Sequence, residues 1–218
     1  MSELRTEEEQ LDAIKSWWKS NGVSLLIMIA VALSAVYGFK AWQNHQQETS
    51  EQASTLYQQL VTKITPAIGA DEEKNVATSK HITKVLKEDF ADTQYAKYAS
   101  LLLAKVAVDS GDLLTALKEL DWLLNNQDQP LLTSLASIRK AQILAAQNNT
   151  QEALSLLKKV TVEGLQVQAF ELEGDIHLAQ GDKVKARSAY EKALANENVG
   201  AAQSVISLKL NDLTNEEG

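Results

Sequence analysis

Apolar residues follow two patterns along this chain. Between Ser20 and Phe39 they form one run, SNGVSLLIMIAVALSAVYGF, that holds no charged residue. From residue 95 onward they recur three or four positions apart, and that recurrence repeats as a block. The first pattern predicts a helix of membrane length, the second a stack of helical hairpins.

Twenty helical residues span about 30 Å, the thickness of a bilayer's hydrocarbon core. Nine of these twenty are Val, Leu, Ile or Phe. At roughly −0.3 to −0.6 kcal/mol each they favour insertion by about 3 to 5 kcal/mol, and no charge opposes them. Trp17 and Trp18 precede the run, and Tyr37 and Trp42 follow it, as an aromatic belt would at two interfaces. A buried core helix would be shorter and carry a polar face. A cleaved signal peptide would end at Ala30-Val31-Ala32, but the apolar run continues past that site and a long acidic segment precedes it. Residues 20–42 are therefore read as an uncleaved anchor. Arg5, Lys15 and Lys19 stand on its N-terminal side and only Lys40 on the other before Lys63, which places the N-terminus in the cytoplasm. Residues 1–19 form the cytoplasmic segment, where Leu4, Leu11, Ile14 and Trp18 suggest an amphipathic helix on the inner surface. Residues 43–218 then lie outside, in the periplasm of a Gram-negative cell. Ala30, Ser34 and Gly38 lie four apart, a small-residue row suited to packing against a partner helix.

Beyond the anchor, residues 43–64 continue the helix outward or resume it after a short break, with Leu56, Leu60 and Ile64 on one face. Pro66, Gly69 and Ala70-Asp71 end it. A second helix covers about 73–89, with Val76, Ile82, Val85 and Leu86 inward. The repeat follows: GDLLTALKELDWLL at 111–124, NNTQEALSLLKKV at 148–160 and GDKVKARSAYEKAL at 181–194. Ala116, Ala153 and Ala186 stand five residues after the start, and Leu120, Leu157 and Tyr190 nine after it. Leu123, Val160 and Ala193 come at twelve. Ala104, Ala141 and Gly174 stand seven residues before it. Gly111, Asn148 and Gly181 can take the positive φ that ends a helix, and Asp112, Asn149 and Asp182 can cap the next one. Small residues on both sides of the turn let the two helices approach, and the larger ones fill the groove beside the next pair. Trp122 either fills the gap toward residues 130–147 or stands out as a partner anchor.

Composition narrows the rest. Setting aside the four basic and five acidic residues of 1–42, the remainder has 17 Lys and Arg against 24 Asp and Glu, a formal charge of −7. Such a domain repels nucleic acid and anionic lipid surfaces. Cysteine is absent, so thiol chemistry is excluded. With two prolines and an excess of helix formers, the fold is predicted to be all-α. His45, His81 and His177 are far apart in sequence, and no nucleophile motif, phosphate loop or metal-ligand spacing is present. No enzyme, metal site or cofactor is expected.

The small residue of the first helix, the Gly-Asp turn, and the Ala and Tyr of the second helix over 170–194 match the tetratricopeptide pattern. The other two copies carry Leu120 and Leu157 where the third has Tyr190, and Pro130 stands near that pattern's closing proline. The chain thus resembles a single anchor followed by a tetratricopeptide-like solenoid. Clear repeats cover about 97–127, 134–163 and 167–196, residues 46–90 are a candidate degenerate first repeat, and an end helix spans about 199–213 with Val205, Leu208 and Leu213. Together with EEEQLDAIKSWWKSNG before the anchor and FKAWQNHQ after it, this order resembles the YfgM family, ancillary inner-membrane subunits of the SecYEG translocon. The resemblance implies a non-enzymatic scaffold or co-chaperone. Its implied partners are the translocon, the periplasmic chaperone PpiD and nascent exported polypeptides. It also implies a link to envelope stress signalling, and a regulator acting through residues 1–19 is the alternative reading. In such repeats the first helix of each pair lines a concave groove. By register its candidates here are Tyr98, Leu101, Lys105, Asp109, Ile138, Gln142, Glu171 and Asp175.

Overall fold

A computed structural model describes residues 7–64, 72–126 and 129–215, and all regular structure among them is helical. Two compact units divide the chain, Met1–Gln52 and Ala53–Gly218.

The first unit holds most of α1, which runs Glu7–Ile64. Its apolar side chains face outward. Val23 is 72% exposed and Val36 64%. A soluble core helix would bury such residues, so this stretch is apolar and long enough to cross a membrane. Trp18 folds back over Gly22, which is buried beneath the indole. Ser34 donates its hydroxyl to the Ala30 carbonyl at 2.8 Å, so its polar atom is satisfied within the helix. The stop at Pro66 and Gly69 falls outside the described residues.

The second unit begins with the last turns of α1. Ala53 and Leu60 are fully buried there, with Leu56 and Ile64 packed beside them. Next comes α2 (Glu72–Asp89), with Ile82 and Leu86 buried and Val76 and Val85 half-buried. Three hairpins follow: α3 (Gln94–Asp109) with α4 (Leu113–Asn125), α5 (Pro130–Ala146) with α6 (Thr150–Leu157), and α7 (Glu163–Ala179) with α8 (Lys183–Leu194). A 3-10 turn at Gly200–Ala202 leads to α9 (Gln203–Asn215), which packs on α8. Ile206 and Leu213 of α9 are buried, whereas Val205 and Leu208 are exposed.

All three hairpin turns use the same backbone solution. Gly111, Asn148 and Gly181 have φ of 77°, 62° and 78°. In each, the next residue's N–H reaches back five positions: Asp112 to Ala107, Asn149 to Leu144, Asp182 to His177, at 2.8, 2.8 and 2.9 Å. The turn residue itself bonds three positions back, which completes a Schellman motif. Asp112 then caps α4 by accepting from Thr115 N–H, and Asp182 caps α8 by accepting from Lys185 N–H. Asn149 departs from the expected cap. Its side-chain NH2 donates to the Glu152 carboxylate at 2.9 Å, and its side-chain oxygen makes no capping bond to a backbone N–H of α6.

Behind each turn the small residues meet as predicted. Ala104, Ala116, Ala141, Ala153 and Ala186 are all buried, and so are Leu120, Leu157, Tyr190, Leu123, Val160 and Ala193. Pro130 opens α5 at its first position, where a missing N–H costs nothing. Trp122 is half-buried and bridges two core clusters, one with Ala136 and Ile143 and one with Leu60 and Leu86. Lys87 Nζ sits 5.2 Å from its ring centroid.

Candidate interaction groove

Helices α3 and α5, the first members of two successive hairpins, bound an open cavity of about 600 Å³. From α3 it takes Tyr98, Leu101, Lys105, Val108 and Asp109, which follow one another at three- and four-residue steps on a single face. From α5 it takes Leu135, Arg139, Gln142 and Ala146, again one face. Tyr57, from the end of α1, closes one side, with Tyr98 and Tyr95 rings 6.3 and 5.8 Å from its own. Ala104 and Leu120 form part of the floor. Burial, with the Tyr98 phenol as a second contribution, pushes the Tyr57 phenol above its usual pKa, so the Tyr57 ring stays neutral at physiological pH.

Polar groups sit at the rim. Lys105 pairs with Asp109 at 2.6 Å. Arg139 donates to the Gln142 amide oxygen at 3.3 Å. The arrangement is an apolar, partly aromatic hollow with a charged edge, which suits polypeptide contacts.

Five of the eight sequence-predicted groove residues meet at this cavity: Tyr98, Leu101, Lys105, Asp109 and Gln142. Ile138 does not. It is 2% exposed, packed with Leu165, Leu172 and Ile176 on the flank of α5 toward α7. Large aliphatic side chains fill that interface, whereas Ala104 and Ala146 leave the α3–α5 interface open. Glu171 and Asp175 are committed elsewhere too. Lys209 of α9 bonds them at 2.7 and 2.8 Å, and Tyr190 donates its hydroxyl to Asp175 at 2.7 Å. Sequence reasoning missed Tyr57 and Arg139. Arg139 lies three positions before Gln142, one helical step along the same face, and that spacing was the available signal, whereas Tyr57 lies outside the three clear repeats.

Of the transmembrane packing candidates, Ala30, Ser34 and Gly38 all lie on the exposed stretch of α1, and Gly38 has open space around it. The three histidines fall on α1, α2 and α7. Among the described residues no group of three or more His, Asp or Glu is placed to hold a metal ion.

Fold and groove define a tetratricopeptide-type hairpin solenoid that carries one helix of membrane length. The family model described as a tetratricopeptide repeat-like domain matches residues 15–215. Curated relatives carry one name. The ancillary SecYEG translocon subunit of Aggregatibacter actinomycetemcomitans is 31% identical over 208 residues, 95% of this chain and 97% of that one. The Haemophilus influenzae subunit of that name is 30% identical over 207 residues, with the same coverage. That of Escherichia coli is 27% identical over 217 residues, 98% of this chain and 100% of its own. The chain belongs to the ancillary SecYEG translocon subunit family, the one called YfgM. No solved structure matches it.

Proposed function

We propose that the protein is a non-enzymatic scaffold of the bacterial inner membrane, held at the SecYEG translocon by a single pass of α1. Its N-terminus is cytoplasmic and its solenoid periplasmic, in keeping with the excess of Lys and Arg before the anchor. There it works beside a PpiD-like chaperone and assists exported polypeptides as they emerge. The observation that carries the reading is the joining of an exposed, membrane-length apolar helix to an open groove in one chain whose family relatives bear the translocon's name. Tyr98, Leu101, Lys105, Asp109 and Gln142 are the partner-facing residues. Ile138, Glu171 and Asp175 serve the solenoid's own packing.

Site-specific photo-crosslinkers test this. Placed at Ser34 in the anchor and at Leu101 in the groove, they should yield translocon adducts from the first and chaperone or client adducts from the second. Native membranes in which neither position reaches a translocon subunit would overturn the proposal.

A further inference from the structure

We propose that the cavity between α3 and α5 is a socket for one large apolar side chain of an extended client segment, and that Arg139 binds an acidic residue of that same segment. This rests on the proposed role at the translocon and specifies which unfolded sequences the groove takes.

Depth is the first support. The floor reaches Ala104 and Leu120, which are 3% and 1% exposed, so an entering group descends to the level of the core. A helix is about 10–12 Å across, so its body would rest on the rim while single side chains descend. The α3 wall from Tyr98 to Asp109 is about 16 Å long by helical rise. That length spans about five extended residues, room for an anchor and its neighbours. The walls that an anchor would touch, Tyr57, Tyr98 and Leu101, are aromatic or aliphatic.

Charge is the second support. Lys105 is neutralised by Asp109 at 2.6 Å. Arg139 is exposed, and its hydrogen bond goes to the uncharged amide of Gln142 rather than to a carboxylate. The rim therefore holds one surplus positive charge within a domain whose formal charge is −7. Basic segments are drawn to the domain as a whole, but at this socket a carboxylate finds the complementary partner. Apolar-plus-acidic segments are thus selected over apolar-plus-basic ones.

The full chain in lipid nanodiscs can be titrated with fluorescein-labelled peptides that carry one phenylalanine and a neighbouring aspartate. Binding is expected, and it should be lost when alanine replaces the phenylalanine. Arg139→Glu should weaken the aspartate peptide about tenfold, the scale of one partly desolvated charge pair, and should gain a similar factor for the peptide with lysine in its place. Val108→Trp, at an exposed rim position, should block both peptides while thermal unfolding stays that of the parent. Equal binding of both peptides by the parent and by Arg139→Glu would overturn the socket. So would a groove that crosslinks only to a folded translocon subunit and excludes the peptides. Translocon co-purification, followed on the same variants, separates the two claims. Retained co-purification without peptide discrimination defeats the socket alone, whereas absent co-purification of the parent defeats the scaffold role.

Discussion

Gly174 and Tyr190 show how little room the third hairpin leaves. A Cβ built on Gly174 would lie 2.4 Å from Tyr190 Cε1 and 2.5 Å from Cδ1, inside any permitted contact. The ring cannot retreat, because it is fully buried and its hydroxyl is tied to Asp175. Burial, followed by that hydrogen bond, holds the Tyr190 phenol far above its ordinary pKa, so it remains a donor throughout the physiological range. Gly174→Ala is therefore expected to destabilise the chain by about 2 kcal/mol through overpacking. Gly181→Ala meets nothing within 4 Å and is penalised only by its φ of +78°, at about 1 kcal/mol. Urea unfolding of the two variants side by side measures the difference. A Gly174→Ala variant as stable as the parent would show that the ring has somewhere to go.

Between elements, long-range ion pairs do the joining. Lys80 and Lys87 of α2 stand two turns apart and reach Asp112 and Glu119, which are also two turns apart along α4's start and face, at 2.8 and 2.7 Å. Glu119 is the buried member, and Ser100 of α3 donates to it at 2.8 Å, so three helices share one carboxylate. Lys140 plays the same part between hairpins. From α5 it bonds Asp121 of α4 at 2.8 Å and Glu152 of α6 at 3.0 Å. Burial alone would lower its pKa, but the bonds to Asp121 and Glu152 outweigh it and raise the value. A raised lysine pKa means its stabilisation is fully present below the unfolded value and lost as pH climbs through the folded one. Glu152, held below its usual pKa first by the bond from Lys140, contributes above the ordinary carboxylate range and fails as pH falls through its lowered value. Lys140→Met is thus expected to cost about 1–2 kcal/mol near neutrality, a buried-pair penalty discounted because both carboxylates are half-exposed. Thermal melts across pH should find this gap constant from about 5 to 9 and closing at strongly alkaline pH, above the lysine's ordinary value. A gap that widened with rising pH would contradict the assignment.

For the whole molecule, the proposed role requires α1 to hold the protein in the bilayer and to meet the translocon there. Gly38 leaves space beside the helix, and Ser34 spends its hydroxyl on Ala30. In that proposed role the row Ala30, Ser34, Gly38 would offer close backbone approach rather than an interhelical hydrogen bond. Ala30→Leu with Ser34→Leu fills the row while adding apolar surface. Insertion should be unchanged and co-purification with the translocon should fall several-fold in mild detergent. Unchanged co-purification would assign the anchor a tethering role only.

Local pattern settled whatever depends on neighbours a few residues away. The uncharged run of 20–39, the small residues flanking each turn, and the positive-φ positions Gly111, Asn148 and Gly181 were all legible, because helix period, turn geometry and membrane thickness act at short range along the chain. Even the exception at Asn149 was local: its side-chain NH2 donates to Glu152 three residues on, and no capping bond forms. Tertiary structure decided which flank of each first helix stays open. Ile138 shares the repeat register of Leu101, yet it faces the filled α5–α7 interface while Leu101 faces the cavity. Glu171 and Asp175 look like groove residues until Lys209 arrives from more than thirty residues away. Helical period fixes the face a residue occupies. What lies opposite that face depends on the volumes and charges of side chains brought together only by stacking, and no local pattern records them.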